Sequence, residues 1–440
     1  MDLITSNPDP AALFVELEAA VRAGNSVRVA ELWARLQQAL LRSHHDHAEL
    51  ERRARELLAG TPQALRGAAG DATMPIITAR APHAHGPVLE RAGSATGNLS
   101  ATPATHAEGS VFPVWFGTNR KALLHPNGSL AGFGSDRAER TTLGRAEVFI
   151  PEAHRFGETG SSFWTRLKRR DLRDDHLRLQ GLGAAADAAG FFAEVQAEMQ
   201  AARDAGSKPQ ALVFIHGFNV SFEEAAIRAA QIGCDLKVPG ATAFFSWPSR
   251  GTVVAYPADE ATIEASEAAI TRFLIDFHAR CGAERIHVIA HSMGNRGLLR
   301  ALQRMAANAQ AAKQVKFGQI FLAAPDVDRD LFCELAGVYA QFCERATLYA
   351  SKGDLAVHAS HRLHDAPRAG YFEPYTVAPH VDTIAVPDFD LDLLGHSYFA
   401  QAEALLHDIF DLMRNDQAPV LRQRLKPKAR PEGTVWQLLR

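Results

Sequence analysis

Cysteine is scarce. The chain has four in 440 residues, Cys234, Cys281, Cys333 and Cys343, and no two stand in a Cys-x-x-Cys spacing. A disulfide-stapled scaffold is therefore excluded, and a structural zinc site lacks its usual thiolate pairs. Long apolar runs are also missing: no stretch of about 18 uninterrupted apolar residues occurs, so no membrane-spanning helix is expected. The first residues, Met1 to Pro10, carry neither a basic start nor an apolar core, so a secretory signal is not expected and the predicted location is cytoplasmic. An excess of one charge is absent as well. Lys and Arg total 47 against 50 Asp and Glu, a net charge of −3. Nucleic acid is thus not the expected partner, because a chain devoted to it normally shows a basic excess. What remains is an ordinary globular composition, 47% hydrophobic and 22% charged, long enough for more than one domain.

The segments are unlike one another. In residues 1–60, Phe14, Leu17 and Val21, then Val29, Trp33, Leu36 and Leu40, follow helical spacing, with Gly24-Asn25 as a break. This reads as a helical arm or hairpin able to contact a protein partner or a second copy. His44-His45-Asp46-His47 invites a metal reading, but no third spaced ligand accompanies it, and a solvated turn is the expectation. Residues 61–110 are rich in Ala, Gly, Pro, Thr, Ser and His and read as a flexible linker. From 111 to 415, apolar strand-like runs alternate with helical segments. The runs include Ala211–Ile215, Ala243–Phe245, Ile286–Ile289, Ile320–Leu322, Ala346–Tyr349 and Thr383–Val386. That alternation predicts an α/β fold with a doubly wound, mostly parallel sheet. Residues 416–440 read as a basic C-terminal tail, an exposed extension. The basic run Arg166–Arg170 is followed at once by Asp171, Asp174 and Asp175 and reads as a solvated mixed-charge face.

Chemistry concentrates at a few points. Ala290-His291-Ser292-Met293-Gly294-Asn295 follows a predicted strand and precedes a predicted helix. This is the small-x-Ser-x-Gly arrangement of a nucleophile elbow, where a tight turn demands small residues around an exposed serine. Two strands earlier, Val213-Phe214-Ile215-His216-Gly217-Phe218-Asn219 ends a buried strand in His-Gly-aromatic. Phe218 and Met293 are the expected backbone N–H donors to an oxyanion, the latter at a helix N-terminus. A serine needs a base, and the base an orienting carboxylate. The order Ser, acid, His leaves Asp354 and Asp326 as acids, both at predicted strand ends. Asp354 is preferred, since Asp326 is read as the cap of a helix starting near Asp328. His396, after the strand Thr383–Val386, is the expected base over His358, His361, His364 and His380, which precede it. Phe218, Phe244, Phe245 and Trp247 are expected to give the site an apolar approach.

These pieces resemble a known family. Pro113–Arg120, His216–Asn219, Phe245–Ser249, Ala290–Asn295, Ala324–Asp328 and Gly395–Tyr398 are similar to an esterase/lipase-like bacterial branch of the α/β-hydrolase superfamily, catalogued only as a domain of unknown function. The resemblance covers about two-thirds of the chain and implies the α/β-hydrolase fold with a serine triad on Ser292 and His396, with no defined substrate. The expectation is a serine hydrolase cleaving a small-molecule, carboxylic ester through an acyl-enzyme, with no cofactor and no metal. Acyl transfer or thioester or amide cleavage would use the same triad. The rival of a different class is a non-catalytic hydrolase-fold module for protein contacts.

Overall fold

The central strands are apolar at successive positions, so both of their faces must be covered, and the chain solves this by placing helices on each side of one sheet. The computed structural model describes residues 10–22, 32, 36, 109–156, 176–250, 255–351, 360, 364–386 and 399–439. The chain forms two compact units, Met1–Ala104 and Thr105–Arg440. In the first, helix α1 (Pro10–Arg22) buries Leu13, Phe14, Leu17 and Ala20, one face at helical spacing. The cluster at 44–47, the linker up to residue 108 and the basic run 166–170 lie outside the described residues.

The second unit opens with a long antiparallel hairpin, β1 (Gly109–Leu124) and β2 (Leu130–Pro151), joined antiparallel to β3 (Arg178–Ala184). β1 therefore includes Gly109 and Ser110, the last two residues of the expected linker. Helix α2 (Ala188–Asp204) leads to β4 (Gln210–Ile215), α3 (Phe222–Asp235) and β5 (Gly240–Ser246). Next come α4 (Tyr256–Ala265), α5 (Glu267–Arg280), β6 (Arg285–His291), α6 (Gly294–Ala306), α7 (Ala309–Gln314) and β7 (Phe317–Ala323). Two short helices, α8 (Arg329–Leu335) and α9 (Gly337–Phe342), precede β8 (Cys343–Ser351) and β9 (Val381–Val386), and α10 (Phe399–Asn415) follows. Strands β10 (Leu425–Arg430) and β11 (Gly433–Leu438) finish the chain.

All eleven described strands join one sheet in the order β10-β11-β9-β8-β7-β6-β4-β5-β1-β2-β3. From β1 across to β11 every neighbouring pair is parallel, and the antiparallel partners β2, β3 and β10 sit toward the edges. The sheet is doubly wound and mostly parallel, as the alternation predicts. Side chains alternate accordingly. Ala211, Val213 and Ile215 of β4 pack with Val195 and Met199 of α2 and Ile270 and Phe273 of α5. Leu212 and Phe214 point the other way, against Ala225, Ala226 and Ala229 of α3 and Leu405, Ile409 and Leu412 of α10. Helix α3 begins at a reciprocal cap: the Glu224 N–H donates to Ser221 Oγ (3.2 Å) and the Ser221 N–H to Glu224 Oε2 (2.7 Å).

The expectation of an exposed tail after residue 415 is corrected here. β11 pairs parallel with β9 and antiparallel with β10. Leu425, Val435 and Leu438 are buried, and the basic side chains Lys426 and Lys428 are exposed. The charges dominate the composition here, but the few apolar residues between them set the fold. A buried junction ties this end down. Arg422 donates through Nε to Asp408 Oδ1 of α10 (2.8 Å), and the Tyr349 hydroxyl of β8 donates to Asp408 Oδ2 (2.8 Å).

The order reverses between β5 and β6, which flank β4 on opposite sides. At such a switch point the two following connections leave on opposite faces and a crevice opens at the strand C-termini. Two buried histidines lie along these strands: His216 just after β4, at the crevice, and His287 near the start of β6, where its Nδ1 accepts from the Gln319 N–H of β7 (3.1 Å). Burial, reinforced by the Arg120 charge, holds His216 down to about 3, and burial with nearby Arg285 holds His287 of β6 down to about 4. In the unfolded chain both titrate near 6.5, as ordinary imidazoles do. Between those limits the unfolded state binds more protons, so the stabilisation is complete above about pH 6.5 and is lost as pH falls. Urea unfolding at pH 7 and pH 5 should show a loss of about 2 kcal/mol for each histidine kept neutral. Equal stability at the two pH values would contradict their burial as neutral rings.

Candidate active site

Ser292 stands where β6 ends and α6 begins. Its φ is +48°, a left-handed conformation that costs a non-glycine residue about 1 kcal/mol. The surroundings enforce it. The Ser292 N–H donates to Ala323 O at the end of β7 (2.9 Å), and its carbonyl accepts from the Asn295 N–H (3.1 Å) and the Asp326 N–H (3.2 Å). The glycines on either side of the crevice are explained by close approach. A Cβ on Gly294 would stand 2.5 Å from His216 O and 2.7 Å from Ile215 O; one on Gly217 would stand 2.9 Å from Ser292 Cβ. The loop after β4 and the turn after β6 therefore touch backbone to backbone, which brings Phe218 beside the serine.

Met293 is fully buried and is the N-cap of α6. Among the described residues, the N–H groups of Phe218 and Met293 meet no acceptor. Met293 is buried and Phe218 half-buried, and the Met293 N–H stands at the positive end of the α6 dipole.

His216 fastens the loop rather than reacting. One ring nitrogen lies 2.8 Å from Gly217 O, the other 3.2 Å from Ser246 Oγ, and the ring stacks on Trp247 at 5.1 Å. Trp247 Nε1 donates to His216 O (2.8 Å). Arg120 binds the same region from β1 and is 1% exposed. It donates to Ser246 Oγ (2.8 Å), Val220 O (2.7 Å), Ser249 O (3.1 Å) and Gly134 O (3.2 Å). Burial lowers its pKa to about 10, against Asp259 and Glu224, so it stays a cation at neutral pH. Asp259, also buried, accepts from Ser249 Oγ (2.6 Å) and the Arg250 N–H (2.9 Å). Three sequence pieces that look independent, 113–120, 216–219 and 245–249, are one buried assembly around Arg120. Arg120 lies within a recognised motif, but nothing local marks its role; Asp259 has no sequence signal at all.

Two expectations need correction. Phe244, Phe245 and Trp247 are 0% exposed and belong to the core, because alternation sends them to the two covered faces; they form no approach to the site. Phe218 is half-buried, its ring 5.1 Å from that of Tyr256. Nor does Asp326 cap the following helix. Asp328 does so, accepting from the Asp330 and Leu331 N–H groups (3.1 and 3.0 Å). Asp326 is 2% exposed. Its carboxylate accepts from the hydroxyls of Tyr256 and Ser360 (2.6 Å for the latter), with Arg296 Nη2 at 3.5 Å and Arg368 Nε at 3.6 Å. Arg296 also donates to Asp326 O (2.6 Å) and Tyr256 Oη (3.0 Å) and pairs with Glu260, which in turn meets His364 Nε2 (2.8 Å). Burial and the Asp326 charge push the Tyr256 hydroxyl far above its ordinary value, so it remains a proton donor.

The structure thus brings together Ser292, Met293, Phe218 and Asp326. Asp354 and His396, with His358 and His361, lie outside the described residues. Among the described residues no cluster of three metal-ligating side chains occurs, and no helix is long and apolar enough to cross a membrane.

The model of a family described as alpha/beta hydrolase of unknown function (DUF900) matches residues 193–414, half of the chain. No curated protein matches. Among solved structures, carboxylesterase CesB from Bacillus subtilis is similar at 10% identity over 47% of this chain and 84% of its own, with a TM-score of 0.27. The bacterial brefeldin A esterase, a homologue of human hormone sensitive lipase, has 11% identity over 72% and 79%, with a TM-score of 0.29. A fungal esterase from Rhizomucor miehei has 11% over 70% and 85%, also with a TM-score of 0.29. Likeness this distant says nothing of substrate.

The Asp326 network makes a prediction. In Asp326→Asn the buried Arg368 guanidinium loses its counter-charge and the half-buried Arg296 keeps only Glu260. Breaking one side of a buried ion pair costs about 3 kcal/mol or more, to be read as a lower urea midpoint. A loss under about 0.5 kcal/mol, the scale of an ordinary surface change, would contradict the network.

Proposed function

The chain belongs to the alpha/beta hydrolases of unknown function, and from that membership we propose that it is a serine hydrolase cleaving carboxylic esters with Ser292, His396 and Asp354. The observation that carries the proposal is the turn at Ser292. A serine held at positive φ between a buried strand and a helix N-terminus, under a glycine of the neighbouring loop and beside unpaired N–H groups of Phe218 and Met293, suits attack on a carbonyl.

In this reading Ser292 Oγ attacks the carbonyl carbon while His396 takes its proton. The tetrahedral oxyanion accepts hydrogen bonds from the Phe218 and Met293 N–H groups. Collapse breaks the bond to the alcohol oxygen, which leaves with the proton from His396. Water then attacks the acyl-enzyme, its proton passing through His396 to Ser292 Oγ, and the acid departs. Asp354 is preferred as the acid because both Asp326 oxygens already accept from hydroxyls. The half-buried Phe218 and Tyr256 rings favour an acyl or aryl group over a highly charged substrate. The proposal extends to organisation: 111–415 as the catalytic module, cytoplasmic, with the helical residues 1–60 serving a protein partner or second copy.

A series of p-nitrophenyl esters of graded acyl length tests this. Ser292→Ala should lower kcat/KM by about 10⁴-fold or more with unchanged stability. Asp354→Asn should lower kcat by about 10⁴-fold through loss of the imidazole orientation and charge. Turnover that survives in Ser292→Ala would overturn the proposal. A dead but stable Asp326→Asn beside an active Asp354→Asn would move the acid to Asp326.

A further inference from the structure

Asn295 is the third residue after the serine and is 0% exposed. Its side-chain nitrogen donates into a cage of backbone carbonyls: Ser292 O at 3.0 Å, Ala290 O at 3.1 Å and Ala323 O at 3.3 Å. Its side-chain oxygen has no hydrogen-bond partner among the described residues. A buried amide left half-satisfied is costly, so this side chain is held in place by what it donates to. The carbonyls belong to the end of β6, to the serine and to the end of β7.

The Ser292 carbonyl matters most. It is one end of a planar peptide unit whose other end is the Met293 N–H, and in a trans peptide the two point in opposite directions. Three donors grip that carbonyl: Asn295 Nδ2 at 3.0 Å, the Asn295 N–H at 3.1 Å and the Asp326 N–H at 3.2 Å. Fixing the carbonyl therefore fixes the plane and aims the Met293 N–H away from the cage. Of the three donors, only Asn295 Nδ2 is a side chain. Without it, a peptide next to a residue at φ +48° is freer to rotate toward ordinary helical geometry, and the Met293 N–H swings off its target.

Resting on the serine-hydrolase reading above, we infer that Asn295 is a positioning residue that aims one of the two oxyanion donors. It touches no substrate, so it acts on the transition state and not on ground-state binding. Aim matters because a preorganised donor contributes most when it needs no reorientation as charge develops.

The test uses the full chain with p-nitrophenyl butyrate, with kcat expressed per site titrated by a fluorophosphonate burst so that only competent molecules are counted. Asn295→Leu keeps the shape and removes the donor; Asn295→Ala removes both. Each should lower kcat per titrated site by about 10- to 100-fold, somewhat less than outright loss of an oxyanion donor, with KM changed less than about two-fold. Inhibition by phenylboronic acid, whose tetrahedral adduct mimics the oxyanion, should weaken in the same ratio as kcat/KM. Wild-type kcat per titrated site in either variant overturns the inference while leaving the serine-hydrolase reading intact. So does a loss confined to KM, or to the number of titratable sites, since either marks a role in binding or folding alone. Failure of Ser292 itself as nucleophile would instead show in the wild type, as absent titration.

Discussion

The rest of the structure depends on one close approach. The loop after β4 and the turn after β6 meet where the sheet reverses its winding, with Gly217 against the Ser292 side chain and Gly294 against the carbonyls of Ile215 and His216. Neither position has room for a methyl group. That contact places two unpaired backbone N–H groups around one serine, and it requires the two strands to stay in register. β4 and β6 run parallel from Gln210 opposite Arg285 to Ile215 opposite Ala290, so a slip of one residue would carry the serine away from the loop.

Such a contact between loops needs support from outside, and it comes from buried charge. On one side Arg120 binds three carbonyls and Ser246, while Asp259 holds Ser249 and the chain after it. On the other, Asp326 draws together Tyr256, Ser360, Arg296 and Arg368. Apolar residues of similar volume often stabilise a core more than buried ions do. The directed bonds of a guanidinium or carboxylate fix backbone atoms in place, which apolar packing does less sharply. That is the property the proposed oxyanion donors at Phe218 and Met293 would require.

The fold was legible because its strands are continuous apolar runs and its helices repeat at helical spacing; Ala211–Ile215 and Ile286–Ile289 lie within β4 and β6. The elbow and the His-Gly loop were legible because the tight turn admits few residue types. Contacts far apart in sequence were not. Arg120 meets Val220 and Ser249 from 100 and 129 residues away, and no local pattern announces such a bond. Asp326 was misread as a cap since Asp328, two residues on, shares its chemistry, and only burial separates them. Phe244, Phe245 and Trp247 were misplaced because an aromatic run near a site looks alike whether it lines a cleft or fills a core. The C-terminal strands were hidden by their charges, with Val435 and Leu438 too sparse to show an alternation.

The central claim is that Ser292 becomes acylated. The direct measurement is mass spectrometry of the protein quenched in acid during turnover of a p-nitrophenyl ester, with the adduct located by peptide mapping. The account predicts one added acyl group, on the peptide containing Ser292 and on its hydroxyl. Steady turnover with the acyl group on a different residue would contradict it.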